Sequence, residues 1–556
     1  MSVTSLILSA ASVLVLSAPD DEPVVADLAV VNANVITVRS TNPRAEAFAV
    51  RAGRFVAVGV ERDVRPLIGN GTAVLDLAGR TVVPGFNDAH AHPSPVYPDD
   101  SPFSTADVGP DAARTIDDLV ELLRRKAERT PAGGPVKGRG YQETKLGRHP
   151  TRRDLDRAST RHPIYLAHSS GHLTAVNSKA LELAGVTKAT PDPAGGSFDR
   201  EADGTPNGVC RERAASLVRR AAPEAPKPSR AEAVAGLLRC FDKMAAQGVT
   251  SIGDAGINPD KLALYRDARS AGLSIRVYAM LRESHLDDLI RIRDAEGLGD
   301  EHLKLGAVKL FHGNSLSGRT CWLSEPYVDK AGGYGIPPAR SQKDLDALIL
   351  AVHQAGFQAA VHSNGDREID MVLTAIERAQ ERSPRRNARH RIEHASVALP
   401  PLLERAKKLG VVLALHSYIY EHGDKMEPYG AYRWGLMHPN RSALDLGIAV
   451  AGTSDYPVSA AEPLLRIQDL ATRRSAEGKV YGPRQIISPA EAIAVWTLGS
   501  AYASFEESIK GSIEPGKLAD FTVLATDPTR VALDEIRKIP VEQTYIGGQC
   551  VYRKGR

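Results

Sequence analysis

From Ala26 onward, apolar and polar positions alternate over short stretches. ADLAVVNANVITV, EAFAVRAGRFVAVG and AVLDLAGRTVVPG each read as half-buried strands broken at Asn, Gly or Arg-Gly turns. A matching set closes the chain, GKLADFTVLATD and QTYIGGQCVYRKG, the second with Gly547-Gly548 placed for a hairpin turn. Between these ends the pattern changes. Apolar, β-rich runs occur at TVVPGFND, VTSIGDAG, SIRVYAML, LGAVKLF, QAAVHS, HRIEHA, VVLALH and GIAVAGTSD. Segments with helical spacing, such as AEAVAGLLRCFDKMAAQG and QKDLDALILAVHQAG, separate most of them. Eight strands alternating with helices predict an α/β fold, a (β/α)8 TIM barrel. Strands at both ends predict a small β-sandwich domain built from the N- and C-terminal segments. One interval, about residues 93–230, is too long for a crossover and carries its own strand and helix signals in PIYLAHSS and NSKALELAG. It reads as an inserted α/β subdomain over the barrel mouth, with PEAPKPSR leading back to the barrel. The expected division is an N-terminal extension over 1–25, sandwich over 26–84, barrel over 85–505 and sandwich again over 506–556.

Composition narrows the function classes. A chain of 556 residues suits a large barrel with appendages. Lys plus Arg number 70 against 67 Asp plus Glu, so no strong field attracts nucleic acid. Aromatics at 5% also argue against base-stacking surfaces. Cys210, Cys240, Cys321 and Cys550 lie far apart and form no CxxC pair, so neither a disulfide framework nor a zinc ribbon is legible; reduced, structural thiols are expected. The apolar run Val3–Leu16 resembles a signal-peptide core and is too short to span a membrane. No Lys or Arg precedes it, and its cleavage pattern at Val15 and Ser17 is poor. Two localisations stay open: cytoplasmic with a terminal extension, or secreted if residues 1–18 act as a signal peptide. No other segment could cross a bilayer, and assembly with copies of itself stays open.

Candidate chemistry lies where polar residues interrupt the barrel strands. His90 and His92 end the first, Lys309 the fourth, His362 the fifth, His394 the sixth and Asp455 the eighth. In such a barrel the C-terminal strand ends converge on the face where active sites are built. Side chains two apart on a strand point the same way, so His90 and His92 can grip one ion. Imidazole and carboxylate together suit zinc or a similar divalent metal. A lysine ammonium has no lone pair and becomes a ligand only after losing its proton and adding CO2 as a carbamate. Each residue also has a duller account. A lone strand histidine is more often a packed core or surface residue, Lys309 can snorkel, and Asp455 in GTSDYP can cap the following turn. The joint pattern, six metal-capable or convertible residues on five strand ends in barrel order, outweighs those accounts.

VVPGFNDAHAH resembles the first-strand signature of the amidohydrolase superfamily, and VKLF, AVHSNGD, RIEHA and GTSDYP resemble its later signatures in order. GSIEPGKLADFTVLATDP is similar to the segment that returns the chain to the β domain. QETKLG, SSGHLTAVNSKALELAG and GNSLSGRTCWLSEPY resemble the branch holding N-substituted formamide deformylases, within amidohydrolase family 3. The resemblance covers nearly the whole chain from Ala26. It implies hydrolysis of a small-molecule C–N bond, most directly a linear amide such as an N-formyl or N-acyl amine, by water activated at one or two divalent ions, zinc foremost. A cyclic amide or a deamination within the same superfamily is the alternative, and a catalytically silent binding barrel a more distant one. It further implies that His90, His92 and Asp455 hold one metal, that His362 and His394 hold the second, that a carbamate on Lys309 bridges them, and that Asp455 is the general base. The loop after strand four departs from the family: Lys309-Leu310-Phe311-His312-Gly313-Asn314-Ser315 lacks the Asp-Gly-Ser of many relatives. His312 there is a candidate contact to substrate or to metal, with no role as the third alternative. His416 at the seventh strand end and, in the insertion, Glu143 and His172 are candidate substrate contacts. A rim histidine packed among Tyr418 and Tyr420, and a capping role for His172 and Asn177, are the competing accounts.

Overall fold

A computed structural model describes residues 25–329 and 331–555; the apolar run Val3–Leu16 lies outside them. Eight parallel strands, β1 (Phe86–Ala91), β2 (Val249–Ile257), β3 (Arg276–Arg282), β4 (Leu303–Phe311), β5 (Gln358–Ser363), β6 (Arg391–His394), β7 (Val412–His416) and β8 (Val450–Thr453), pair in chain order. The seam between β8 and β1 is closed just past β8. The Asp455 N–H donates to the His90 carbonyl at 2.9 Å and the His92 N–H to the Tyr456 carbonyl at 2.7 Å. The strands read as nearly continuous apolar runs because both faces are buried. On β3, Val277, Ala279 and Leu281 face outward to the helices, while Tyr278 and Met280 join Ala255, Ala307 and Ala360 inside. Three of the outer helices begin at side-chain caps: Ser229 accepts from the Glu232 N–H, Asn258 from Lys261 and Ser341 from Asp344.

TVVPGFND, expected as one barrel strand, is two elements. Thr81–Pro84 belongs to a six-stranded sheet, pairing with Asn34–Ile36 and Phe521–Leu524, and only Phe86 onward enters the barrel. Gly85 makes the crossing possible, since a Cβ there would fall 2.2 Å from Thr250 Oγ1. The same sheet takes in Val541–Ile546 and Gln549–Arg553, so strands from both ends of the chain share it. Gly547 and Gly548, at φ 55° and 74°, turn the last hairpin. A four-stranded sheet of Leu28–Val31, Ala47–Arg51, Arg54–Gly59 and Ala73–Asp76 packs onto it through Phe48, Phe55, Val82 and Phe521. Arg276 of β3 ties the barrel to this β layer through a buried pair with Asp520 at 2.7 and 3.0 Å.

Residues between β1 and β2 form a third, mixed sheet: Ala106–Asp107, Val136–Tyr141, Ile164–His168, Leu173–Val176, Pro206–Glu212 and Gly196–Arg200. Helix Ile116–Glu128 packs Leu119 and Leu123 against Val136, Ile164 and Leu166. No helix of the described residues is long and apolar enough to cross a membrane.

A buried histidine pair gives the fold a predictable acid response. The Ala359 N–H donates to His390 Nδ1 at 2.9 Å. His390 Nε2 must then donate to His353 Nδ1 at 2.8 Å, and His353 Nε2 to the Ser383 carbonyl at 2.6 Å. Both rings are therefore neutral, and burial pushes His390 down to about 3 from 6.5. The unfolded chain binds the extra proton below pH 6.5 and the native chain does not until about pH 3, so stability is lost as pH falls through that window. The expected cost from this residue is about 1.4 kcal/mol per pH unit at most. Urea unfolding at pH 7 and pH 5 should show a shallower pH dependence for His390→Gln than for the native protein. Equal slopes would remove His390 as the source.

Candidate metal centre

The C-terminal strand ends bring the sequence-predicted residues to one place. His90 and His92, alternate positions at the end of β1, face each other with Nε2 atoms 3.3 Å apart. Asp455, two residues past β8, sets Oδ1 3.5 Å from His90 Nε2 and 3.3 Å from His92 Nε2. Edges of about 3.4 Å are those of a tetrahedron with metal bonds of about 2.1 Å. The three donors therefore already stand at the separations a zinc-sized ion needs. Lys309 Nζ lies 3.2 Å from His90 Nε2, fully buried at the end of β4. The His394 ring is 5.0 Å from His90 and 4.8 Å from His362, and its Nε2 is 4.0 Å from Asp455 Oδ2.

Two backbone irregularities aim these groups. His394 has φ 71° and Asp455 φ 56°, left-handed conformations that are uncommon outside glycine. On β6 this interrupts the strand alternation, so that the consecutive residues Glu393 and His394 both reach His90. At the seam, Asp88 takes the Ser454 N–H at 3.0 Å and the His90 N–H at 3.3 Å, fixing the strand ends that carry both ligand sets.

The electrostatics follow from burial. His90 is pushed down to about 4 by desolvation, with Lys309 adding to the effect against the pull of Glu393, so its ring is neutral. His362 and His394 are lowered well below the usual histidine value for the same first reason. Burial alone would raise Asp455, but the hydrogen bond from His92 and the neighbouring His394 and His90 hold it well below the carboxylate range. Lys309 falls to about 8, because desolvation, helped by Arg391, outweighs Glu393 and Asp455.

Sequence reasoning missed the groups behind the ligands. His90 Nδ1 donates to Glu393 Oε2, which leaves Nε2 with its lone pair toward Asp455 and Lys309. Glu393 in turn accepts from Arg391 Nη2 at 2.8 Å, and Arg391 also donates to the Ala89 carbonyl at 2.9 Å. The signal was present in RIEH: two oppositely charged residues, two apart and so on one face of a barrel strand. His172 Nδ1 pairs with Glu212 Oε2 at 2.7 Å, and its ring lies 5.0 Å from His362. Glu212, at φ 52°, is held in place by the Ser315 N–H and the Thr320 hydroxyl.

The remaining candidates divide. His172, His312 and the six strand-end residues line one cavity of about 1760 Å³, walled on one side by the insertion. His312 is buried with both ring nitrogens unpartnered among the described residues. His416 stacks on Tyr418 at 4.7 Å and 19°. Glu143, expected as a substrate contact, is turned away: Lys425 Nζ and His168 Nε2 each take one of its oxygens at 2.7 Å, and it does not line the cavity. Asn177 is the cap of helix Ser178–Leu183 and also accepts from the Ile164 N–H at 3.0 Å, the structural account. His362 Nε2–H donates to the Asn314 carbonyl at 3.1 Å, which leaves the ring's lone pair on Nδ1. Ligand atoms mutually within 4.8 Å occur in His90, His92 and Asp455, and again in His394, His416 and Asp455. The second group takes in His416, while the His362 ring lies 4.8 Å from that of His394.

The sequence matches the profile of the Amidohydrolase family over residues 73–552. The chain belongs to the amidohydrolase family. This amidohydrolase is 30% identical to N-substituted formamide deformylase of Arthrobacter pascens, over 95% of this chain and 98% of that protein. It is 29% identical to the putative amidohydrolase YtcJ of Bacillus subtilis, over 94% and 98% of the two chains. An uncharacterized metal-dependent hydrolase from Pyrococcus horikoshii superposes with a TM-score of 0.70 at 25% identity, over 91% of this chain and 99% of that one. Membership makes the protein a hydrolase of carbon–nitrogen bonds and implies a divalent metal, for which the amidohydrolase offers the His90, His92 and Asp455 donors.

Proposed function

We propose that this amidohydrolase hydrolyses a linear small-molecule amide, an N-formyl or N-acyl amine, at the His90–His92–Asp455 centre. The observation that carries the reading is the set of three donors at 3.3–3.5 Å opening into a cavity far larger than a formyl group. Resemblance to a formamide deformylase along nearly the whole chain supports the bond class. Zinc suits two imidazoles and a carboxylate. When bound, such an ion lowers the pKa of a water from about 15.7 to about 7 and polarises a carbonyl.

The chain's own groups supply the rest. Glu393 fixes the His90 tautomer so that Nε2 presents a lone pair. Asp455, ionised at neutral pH, accepts the proton of the attacking water and passes it to the leaving nitrogen. Lys309, at about 8, has about a tenth of its amine free at pH 7 and can add CO2 as a carbamate beside His90. His172 and the insertion wall bound the space left for the amine substituent.

The test is a panel of N-formyl, N-acetyl and longer N-acyl amines, with cyclic amides and amino-heterocycles alongside, offered to zinc-loaded protein, with products read by mass spectrometry. Free amine plus carboxylic acid is expected. Ring opening of cyclic amides, ammonia release from heterocycles, or no turnover at all would overturn the linear-amide reading. Lys309→Ala is expected to lower both metal content and activity, with short-chain carboxylic acids partly restoring both. Unchanged metal content and turnover in that variant would remove Lys309 from the site.

A further inference from the structure

We propose that the substrate is an amide whose amine portion ends in a carboxylate, received between Arg213 and Arg219 of the insertion and Arg282 at the end of β3. The inference rests on the linear-amide reading above and adds the charge of the substrate to it. Helix Arg213–Arg220 buries Ala214, Ala215 and Val218 in the core of the insertion. Positions three apart share a helix face, so the other side turns Arg213, Ser216 and Arg219 to the large cavity. Neither arginine pairs with a carboxylate among the described residues, whereas Arg211, just before them, gives two nitrogens to Asp199 at 2.7 Å. Arg219 donates instead to the Gly171 carbonyl at 3.2 Å, beside His172. Desolvation lowers it from the usual arginine value, although Glu212 pulls the other way. A guanidinium drawn partly out of water without a carboxylate is a site for one, because its fork fits that group.

The barrel wall repeats the sign. Arg282 commits only Nε, to the Gly256 carbonyl at 2.7 Å, and sets its guanidinium 5.6 Å from the centre of the Phe311 ring. Phe311, the last residue of β4, is 40% exposed, with Lys309 Nζ 4.9 Å from the same ring. The two walls are continuous. The Arg213 N–H donates to the Gly195 carbonyl at 3.2 Å, and a Cβ on Gly195 would fall 2.6 Å from that of Ala339. The neighbouring Arg340 donates to the Phe311 carbonyl at 3.2 Å and is itself paired with Glu283 at 3.1 Å. Asp344, also in the cavity wall, takes the Ser341 hydroxyl at 2.6 Å. The cavity acids without a basic partner among the described residues, Asp107, Asp111 and Glu462, stand on other elements, at the edge of the insertion sheet and after β8. Phe311 and His172 flank the His362 ring at 6.2 and 5.0 Å, so an amine substituent leaving the metal centre between them runs past cations.

Analogues that cannot be hydrolysed test the charge apart from turnover. Laevulinate and its next two homologues are keto acids in which CH2 replaces the nitrogen of an N-acetyl amino acid, and each has a neutral carboxamide for comparison. Calorimetric titration of the zinc-loaded protein is expected to show the acids binding about 10–100-fold more tightly than their carboxamides, the range for a hydrogen bond to a charged group. Arg219→Gln and Arg282→Gln are each expected to reduce that preference, Arg219→Lys to keep part of it, and Arg213→Gln added to both glutamine changes to abolish it. Circular dichroism identifies a variant that has failed to fold. In the native protein, which needs no variant, added salt should weaken the acids and leave the carboxamides unchanged. Equal affinity of acids and carboxamides overturns the proposal. So does a preference that the folded variants retain in full, since the carboxylate would then sit on the ion. A protein that prefers the acids through these arginines and releases no amine from any N-acyl compound would sink the linear-amide reading alone, whereas an active amidase indifferent to the charge would sink only this proposal.

Discussion

Asp455→Asn should lower kcat for amide hydrolysis by about 10²–10⁴-fold, the range associated with removing a positioned general base. The substitution is nearly isosteric, and Asn tolerates the left-handed backbone that Asp455 adopts at φ 56°, so no conformational strain is added. What changes is chemistry. The amide cannot take a proton from water at neutral pH, and it offers a neutral oxygen where His90 and His92 now face an anion at 3.5 and 3.3 Å. Metal affinity should therefore fall together with the proton-transfer step. Assays at saturating metal separate the two effects: kcat stays depressed while metal content returns to the native level. A metal-replete variant with near-native kcat would show that some other group carries the proton.

The barrel was legible because its strands are buried on both faces and stand in chain order, with helical spacing between them. The His90–His92 pair was legible because two-residue spacing on a strand fixes a common face whatever surrounds it. TVVPGFND misled because an apolar run does not reveal a change of sheet; the crossing at Gly85 depends on the approach of Thr250, 165 positions away in sequence. Pairings over such distances are the general reason for what was missed. Glu143 sits in a motif that promised a substrate contact, yet Lys425 and His168 occupy both its oxygens. His394 and Asp455 adopt positive φ, which no periodicity argument anticipates, and that local departure lets Glu393 and His394 act on the same neighbour.

Glu393→Ala should cost about 3–5 kcal/mol of folding stability, the range for breaking a buried ion pair by removing one partner. Arg391 and Glu393 are both fully buried on β6, and Glu393 meets the guanidinium on one side and His90 Nδ1 on the other. Deleting the carboxylate strands a charged guanidinium whose remaining partner is the Ala89 carbonyl at 2.9 Å. The same deletion frees His90 to change tautomer, and loss of such an orienting carboxylate typically weakens metal affinity by about 10–100-fold. The two consequences can be pulled apart. Arg391→Met combined with Glu393→Leu replaces the pair by apolar groups and should recover most of the stability, since exchanging a whole buried pair is often neutral. It should not recover metal affinity, because nothing then holds His90 Nδ1–H. Urea unfolding of the apo-proteins and zinc titration of each variant measure the two quantities separately. Recovery of zinc affinity in the double variant would mean that the barrel wall, rather than Glu393, orients His90.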